Sequence, residues 1–152
     1  MMSGVTRKEG DILGDYRLLH AVSEERVTCT WEGEQLSMQR LVMIEMLGSK
    51  VMRQPGVVDS FISDVRAKAM VTHPGIGAVY EVFTNDKDAF FSREMLEGES
   101  LESLYQSATR FSPLEIVILL GQIAEAMWQL QIEEVATVDY ELHHFVIAGQ
   151  DE

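Results

Sequence analysis

Apolar and polar positions alternate in short runs along the first part of the chain, then apolar positions fall at helical spacing, and this change of period marks the elements. Five stretches read as strands: Tyr16 to Val22, Arg26 to Trp31, Arg40 to Leu47, Val79 to Phe83 and Ala89 to Glu94. The first two are close enough to form a hairpin, and a polar turn through Gly33 and Glu34 leads to the third. Asn85-Asp86-Lys87-Asp88 joins the last two as a hairpin turn, because asparagine and aspartate side chains accept hydrogen bonds from nearby backbone N–H groups.

Between the third and fourth strands, Phe61, Ile62, Val65, Ala69 and Met70 form a helical stripe. Asp59 or Ser60 can cap that helix, and His73-Pro74-Gly75 stops it. Ser100 can cap a short helix carrying Leu101, Leu104 and Tyr105. Ser112-Pro113-Leu114-Glu115 is a strong helix start, with a cap residue, a proline where no N–H is needed, and a glutamate that can bond back to the cap. The helix it opens runs to about Gln131 and is apolar on nearly every side, which predicts burial all round. Three strands, a helix, two strands and then helices define an α+β fold with a mainly antiparallel sheet. Met1 to Gly10 is polar and predicts a disordered N-terminus.

Composition narrows the class. The 152 residues, 46% apolar and 24% charged, fit one soluble globular protein. No apolar run reaches membrane-span length, and the N-terminus lacks the apolar segment of a signal peptide. A single cysteine, Cys29, leaves no internal disulfide and suits a reducing cytoplasm. A net charge of −13 repels nucleic acid and anionic lipid, and disfavours a polyphosphate ligand unless a cation intervenes.

The order of elements and three blocks within it resemble the protein kinases. Asp15-Tyr16-Arg17-Leu18-Leu19 is similar to the start of the kinase first strand, and His73-Pro74-Gly75-Ile76 to the His-Pro-x-Ile turn after the kinase αC helix. Glu94 to Leu101 (Glu-Met-Leu-Glu-Gly-Glu-Ser-Leu) looks like the hinge of bacterial-type Ser/Thr kinases. The resemblance implies a kinase-like N-lobe over residues 11–97, a five-stranded antiparallel sheet with an αC-like helix, and a partial, truncated C-lobe over residues 98–152.

The same resemblance implies that the catalytic positions have changed. Kinase chemistry uses a glycine-rich loop, a third-strand lysine paired with a helix glutamate, a catalytic-loop aspartate and metal ligands. Here the loop glycines correspond to Ser23, Glu25 and Thr28, the lysine to Glu45 and its glutamate partner to Asp64. Without glycine the backbone approaches phosphate poorly, and Glu25 adds repulsion. Two carboxylates about 4 Å apart repel by ~1 kcal/mol in water and ~4 at an effective dielectric of 20, so Glu45 and Asp64 would separate, share a proton or recruit a cation. In the catalytic loop Asp139 stands at the general-base position, Glu141 replaces the phosphate-steadying lysine and His144 the metal-binding asparagine. No Asp-Phe-Gly metal site occurs before Glu152.

Single residues divide between a pointed and a plain reading. Arg93 corresponds to the kinase gatekeeper, one position before the hinge, and is expected to turn inward, pair with Glu45 or Asp64 and fill the nucleotide site; a one-residue slip would put it in solvent. Asp139 without its partners is a structural remnant or a surface residue. His143 and His144, as strand neighbours, point to opposite faces and make no metal site. Cys29 reads as core, and His73 as the closure of a helix end.

These readings add up to a catalytically inactive, cytoplasmic pseudokinase domain with no cofactor and no metal. It would bind protein partners, scaffolding or regulating, with no nucleic-acid or membrane contact. Its long apolar helix has to be covered by a second copy, a further segment or a partner, which predicts a homo-oligomer, a dimer first of all. An acidic secretion-type chaperone or adaptor is the alternative, and a nucleotide-dependent enzyme of unusual chemistry is a third class.

Overall fold

Alternating residues build a curled antiparallel sheet in the first part of the chain. The computed structural model describes residues 7–135 and 140–148. These fall into two units, one running through Ala69 and resuming at Ala78–Met95, the other made of Met70–Gly77 and the residues from Leu96 onward.

In the first unit the strands are β1 (Ile12–Leu13), β2 (Tyr16–Glu24), β3 (Thr28–Gln35), β4 (Arg40–Leu47), β5 (Val79–Thr84) and β6 (Ala89–Arg93), in the spatial order β1-β2-β3-β4-β6-β5. All neighbours are antiparallel. The expected five strands become six, because β1 is only two residues long and has no alternation to read; it is fixed by pairing Ile12 with Arg17 and Leu13 with Tyr16. The expected turn at Gly33 and Glu34 is also corrected. Both lie inside β3, paired with Val42 and Leu41, and the chain turns after Gln35 instead. Gly33 is there for space: a Cβ would sit 2.5 Å from the Ile44 Cδ1 atom and 3.1 Å from the Arg17 carbonyl oxygen. At the corrected turn, the Asp15 carboxylate accepts hydrogen bonds from the Ser37 N–H (2.9 Å) and hydroxyl. The hydroxyl bond is the main reason its carboxyl titrates below the usual range.

One sheet face holds the core: Leu13, Tyr16, Leu18, Trp31, Val42, Ile44, Met46 and Phe90, with Cys29 and Phe83 at its edge. Phe90 is its centre, stacked on Phe83 at 4.9 Å and meeting Tyr16 edge-on at 5.5 Å. The Tyr16 hydroxyl donates to Glu81 (2.6 Å) and shares a hydrogen bond with the fully buried Ser92 (2.9 Å), tying β2 to β5 and β6. An ion pair between Arg7 and Asp88 adds a tie from the N-terminal segment to the β5–β6 turn. That turn forms as its residues predict, with the Asn85 side chain accepting from the N–H groups of Lys87 (2.7 Å) and Asp88 (2.8 Å).

The helix α1 (Val57–Ala69) packs on the other face, with Phe61 5.8 Å from Phe91 and Val65 buried. It starts two residues before the expected cap at Asp59, because Gly56 turns the chain with φ +78° and its carbonyl already accepts from Ser60. Asp59 therefore sits in the first turn, where its charge suits the helix dipole. Met70, expected on the buried stripe, is exposed.

The second unit contains β7 (Gly98–Ser100), α2 (Leu101–Gln106), α3 (Pro113–Ile132), a 3-10 turn (Leu142–His144) and β8 (Val146–Ala148), with β7 and β8 antiparallel. Gly98 has φ +145°, and a Cβ there would lie 2.0 Å from the Ile147 carbonyl oxygen, so only glycine fits. Ser100 caps α2 by accepting from the Ser103 N–H. Ser112 and Glu115 form a full capping box on α3 with Pro113 in the first turn. Ser112→Ala is expected to lower the stability of α3 by about 1 kcal/mol, and Ser112→Asp to restore it. The measurement is the helical signal of both variants followed through thermal unfolding. No helix among the described residues is long and apolar enough to cross a membrane.

Burial of α3 departs from expectation. Not one of its residues is buried. Leu119, Ile123, Ala126, Met127 and Leu130 are half-covered, while Leu114, Val117 and Trp128 are each more than 60% exposed.

Candidate functional site

Glu45 and Arg93, the positions that the resemblance sets at the kinase lysine and gatekeeper, lie side by side on the sheet face that carries α1. Antiparallel register sets Arg93 opposite Met43 and Glu45 opposite Phe91, so Glu45 and Arg93 project from the same face on adjacent strands. The Arg93 Nε atom is 3.8 Å from a Glu45 carboxylate oxygen, and both side chains are about 30% exposed. This is an ion pair without a hydrogen bond, in partial contact with water, the kind that contributes ~1 kcal/mol or less. Of the two acids expected for Arg93, the structure selects Glu45. Asp64 forms no ion pair with Arg93 among the described residues; it sits exposed on α1, next to the buried Val65. It lines a cavity of about 390 Å³ with Val27, Leu47, Val57, Ser60 and Phe61. Of the two carboxylates that the resemblance sets at the kinase pair, Glu45 has a cation from β6 beside it.

The neighbouring Glu94 is bound twice to Ala78: its N–H donates to the Ala78 carbonyl (2.8 Å), and its carboxylate accepts from the Ala78 N–H (3.0 Å). This clamps the end of β6, and with it the backbone that carries Arg93. Ser23 lies one residue before the end of β2, Glu25 lies in the turn and Thr28 begins β3. Glu25 donates its N–H to the Thr28 carbonyl (2.8 Å), and no residue from Ser23 to Thr28 has a positive φ. The segment is an ordinary tight connection, without the left-handed freedom that lets a glycine-rich strap bend its N–H groups toward a phosphate. The half-buried Cys29 thiol is pushed up by desolvation, with the charge of Glu24 adding to it, so it is a poor nucleophile.

In the second unit the histidine expectation is corrected. His143 and His144 lie on a 3-10 turn, not a strand, and their rings are adjacent, with centroids 4.0 Å apart. The His144 Nδ1 atom accepts from the Glu141 N–H (2.9 Å), and His143 lies 3.4 Å from the Glu141 carboxylate. Tyr140 meets His144 edge-on and tilts against Phe145, and partial burial pushes its hydroxyl up. Glu141 and His144 therefore cap one another. Asp139 lies outside the described residues. His73 accepts from the Gly75 N–H through Nδ1 (2.9 Å) and so closes the turn after α1.

Residue reading missed the Tyr16–Glu81–Ser92 group. Its signal is faint, a tyrosine opening a strand and a serine amid the apolar run Ala89-Phe90-Phe91, and only the curl of the sheet brings them together.

The curled antiparallel sheet with a helix on one face, followed by helices, is a mixed α+β arrangement generally consistent with a kinase-like N-lobe. Sequence comparison points the same way. The chain is 23% identical over 145 residues to serine/threonine-protein kinase PLK4 of Nematostella vectensis, covering 95% of this chain and 15% of that protein. It is 26% identical over 119 residues to serine/threonine-protein kinase PknA of Mycobacterium tuberculosis, covering 75% of this chain and 28% of the relative. PLK4 of Danio rerio matches at 22% over 139 residues, or 91% of this chain and 15% of its own length. The chain therefore spans less than a third of each of these relatives. No protein-family model matches it. The chain is a distant homologue of the serine/threonine protein kinases.

Proposed function

We propose that this is a kinase-like domain without phosphotransfer activity, a cytoplasmic pseudokinase that works by binding other proteins. The observation that carries the reading is the ion pair of Glu45 with Arg93 at 3.8 Å. Where a kinase holds a lysine for the nucleotide phosphates, this chain presents a carboxylate, and the adjacent cation is already engaged with it. In this reading Arg93 occupies the vacated nucleotide site, Ser23, Glu25 and Thr28 form a connection unsuited to phosphate, and no cofactor or metal is used. The open face of α3 supports the binding role, since solvent-exposed apolar side chains in a continuous strip mark an interaction surface.

The test is thermal unfolding with and without ATP and magnesium at about 5 mM, alongside transfer of labelled phosphate to the chain itself and to a generic protein substrate. A ligand at 100 times its dissociation constant stabilises by about 2.7 kcal/mol, which a melting curve registers easily. The expected result is a shift below about 1 °C, within the range left by a ligand far below its dissociation constant, and no labelled product. A clear stabilisation together with phosphate transfer would overturn the reading.

A further inference from the structure

The outward side of α3 is a continuous apolar strip. At 100° per residue, Leu114, Val117, Gly121, Trp128 and Ile132 fall within an arc of about 60°, opposite the half-covered line of Leu119, Ile123, Ala126 and Leu130. The strip is about 27 Å long at 1.5 Å per residue. A Cβ placed at Gly121 would meet nothing within 4 Å, so the strip has a dip between Val117 and Trp128 able to seat a side chain from outside.

Charge determines what fits there. The second unit carries eleven of the chain's 25 acids and only one of its 12 basic residues, Arg110. On α3 the only charged side chains are Glu115 and Glu125, and Glu133 and Glu134 follow directly. A second copy laid antiparallel brings Glu115 toward the other copy's Glu133 and Glu134, and a parallel copy sets Glu125 against Glu125. Neither arrangement supplies a cation, and an anionic membrane is repelled in the same way.

We propose that the outward face of α3 docks an amphipathic helix of another protein, one with lysine or arginine along one flank of an apolar stripe. The apolar stripe covers Val117, Trp128 and the dip at Gly121, and the basic flank meets Glu125 and Glu115, which lie on one side of the strip, and Glu133 beyond Ile132. The inference rests on the protein-binding reading above and names the chemistry of its partner.

Its test uses the whole chain and two synthetic helical peptides of about 20 residues. They share one leucine stripe and differ only in carrying lysine or glutamate along one flank. Trp128 is the reporter, since it is 62% exposed while the chain's other tryptophan, Trp31, is 7% exposed. The lysine-flanked peptide should shift the Trp128 emission to the blue and bind at least about tenfold tighter than the glutamate-flanked one, with the difference shrinking between about 50 and 500 mM salt as the Debye length contracts. Val117→Arg, at an exposed position and with a good helix former, should weaken that binding at least about tenfold while leaving the melting curve of the free chain unchanged. Equal affinity for the two peptides overturns the proposal, and so does indifference to Val117→Arg, which would mean diffuse charge attraction. A dimer of the free chain that Val117→Arg dissociates, or an equal Trp128 shift on zwitterionic vesicles, would assign the face to a second copy or to lipid instead. None of these outcomes affects the nucleotide test: failure here with no ATP-dependent shift leaves an inactive domain whose partner is of another kind, whereas ATP binding with phosphate transfer removes the inactive reading whatever the peptides do.

Discussion

Phe90→Ala is expected to remove about 3–5 kcal/mol of stability, the range for truncating a fully buried aromatic ring. Phe90 has no exposed surface, stacks on Phe83 at 4.9 Å and meets the Tyr16 ring edge-on at 5.5 Å. Alanine leaves a cavity that the surrounding strands cannot close, because β6 is held on one side by β4 and on the other by β5. Each kcal/mol moves the melting temperature of a chain of 152 residues by about 2–4 °C, so the midpoint should fall by at least about 6 °C. A drop under about 5 °C would mean that Phe90 is not the centre of the core. The effect reaches the candidate site through the backbone. Phe90 and Ser92 point into the core, while Phe91 and Arg93 of the same strand face α1, so a loosened β6 also loosens the 3.8 Å approach of Arg93 to Glu45.

Features whose cause lies within a few residues were legible in the sequence. The Asn85 turn, the Ser100 cap and the Ser112–Glu115 box each depend on one side chain bonding to backbone two or three residues away, and each forms as read. The features that eluded sequence reading depend on chain segments far apart. Gly33 looks like a turn residue, and only the approach of Ile44 from the next strand and Arg17 from the previous one shows why a strand needs glycine there. The two residues of β1 have no period and exist because β2 pairs with them. The kinase resemblance makes His143 and His144 strand neighbours, but the bond from the Glu141 N–H to His144 winds them into a turn.

The candidate site was legible in part. The kinase resemblance singles out Glu45 as the position of the third-strand lysine, and it narrows the acid that Arg93 would meet to two. Choosing between them required the register of β4 against β6, which places Arg93 one pair from Glu45 on the same face, while Asp64 stands on α1 beside Val65 and lines the cavity with Leu47 and Phe61. The open face of α3 was legible only as an apolar surface in need of a cover. Helical period shows that a residue is apolar, but burial depends on what else is folded against it.

The second large effect is expected at high pH. Burial and the hydrogen-bonded Glu81 carboxylate push the Tyr16 hydroxyl up from 10.0 to about 12. The folded state therefore holds this proton more tightly than the unfolded chain does. The resulting stabilisation is fully present below pH 10, declines as pH rises from about 10 to about 12, and is gone above that, a loss of about 2–3 kcal/mol at 1.36 kcal/mol per pH unit. Ionisation removes the proton donated to Glu81 and puts a phenolate 2.6 Å from a carboxylate, so the tie from β2 to β5 turns into repulsion. Tyr16→Phe keeps the ring and removes the hydroxyl. It should be less stable than the parent near neutral pH by about 1–3 kcal/mol, because the buried Ser92 loses its partner. Lysines and the other tyrosines titrate in both proteins and cancel in the difference. The gap between parent and Tyr16→Phe, followed by urea unfolding from pH 8 to 12, should therefore close across the last two pH units. A gap that stays constant would show that Tyr16 ionises like an exposed tyrosine. In that case the curl of the sheet, and the face on which Glu45 meets Arg93, would be held by the aromatic contacts alone.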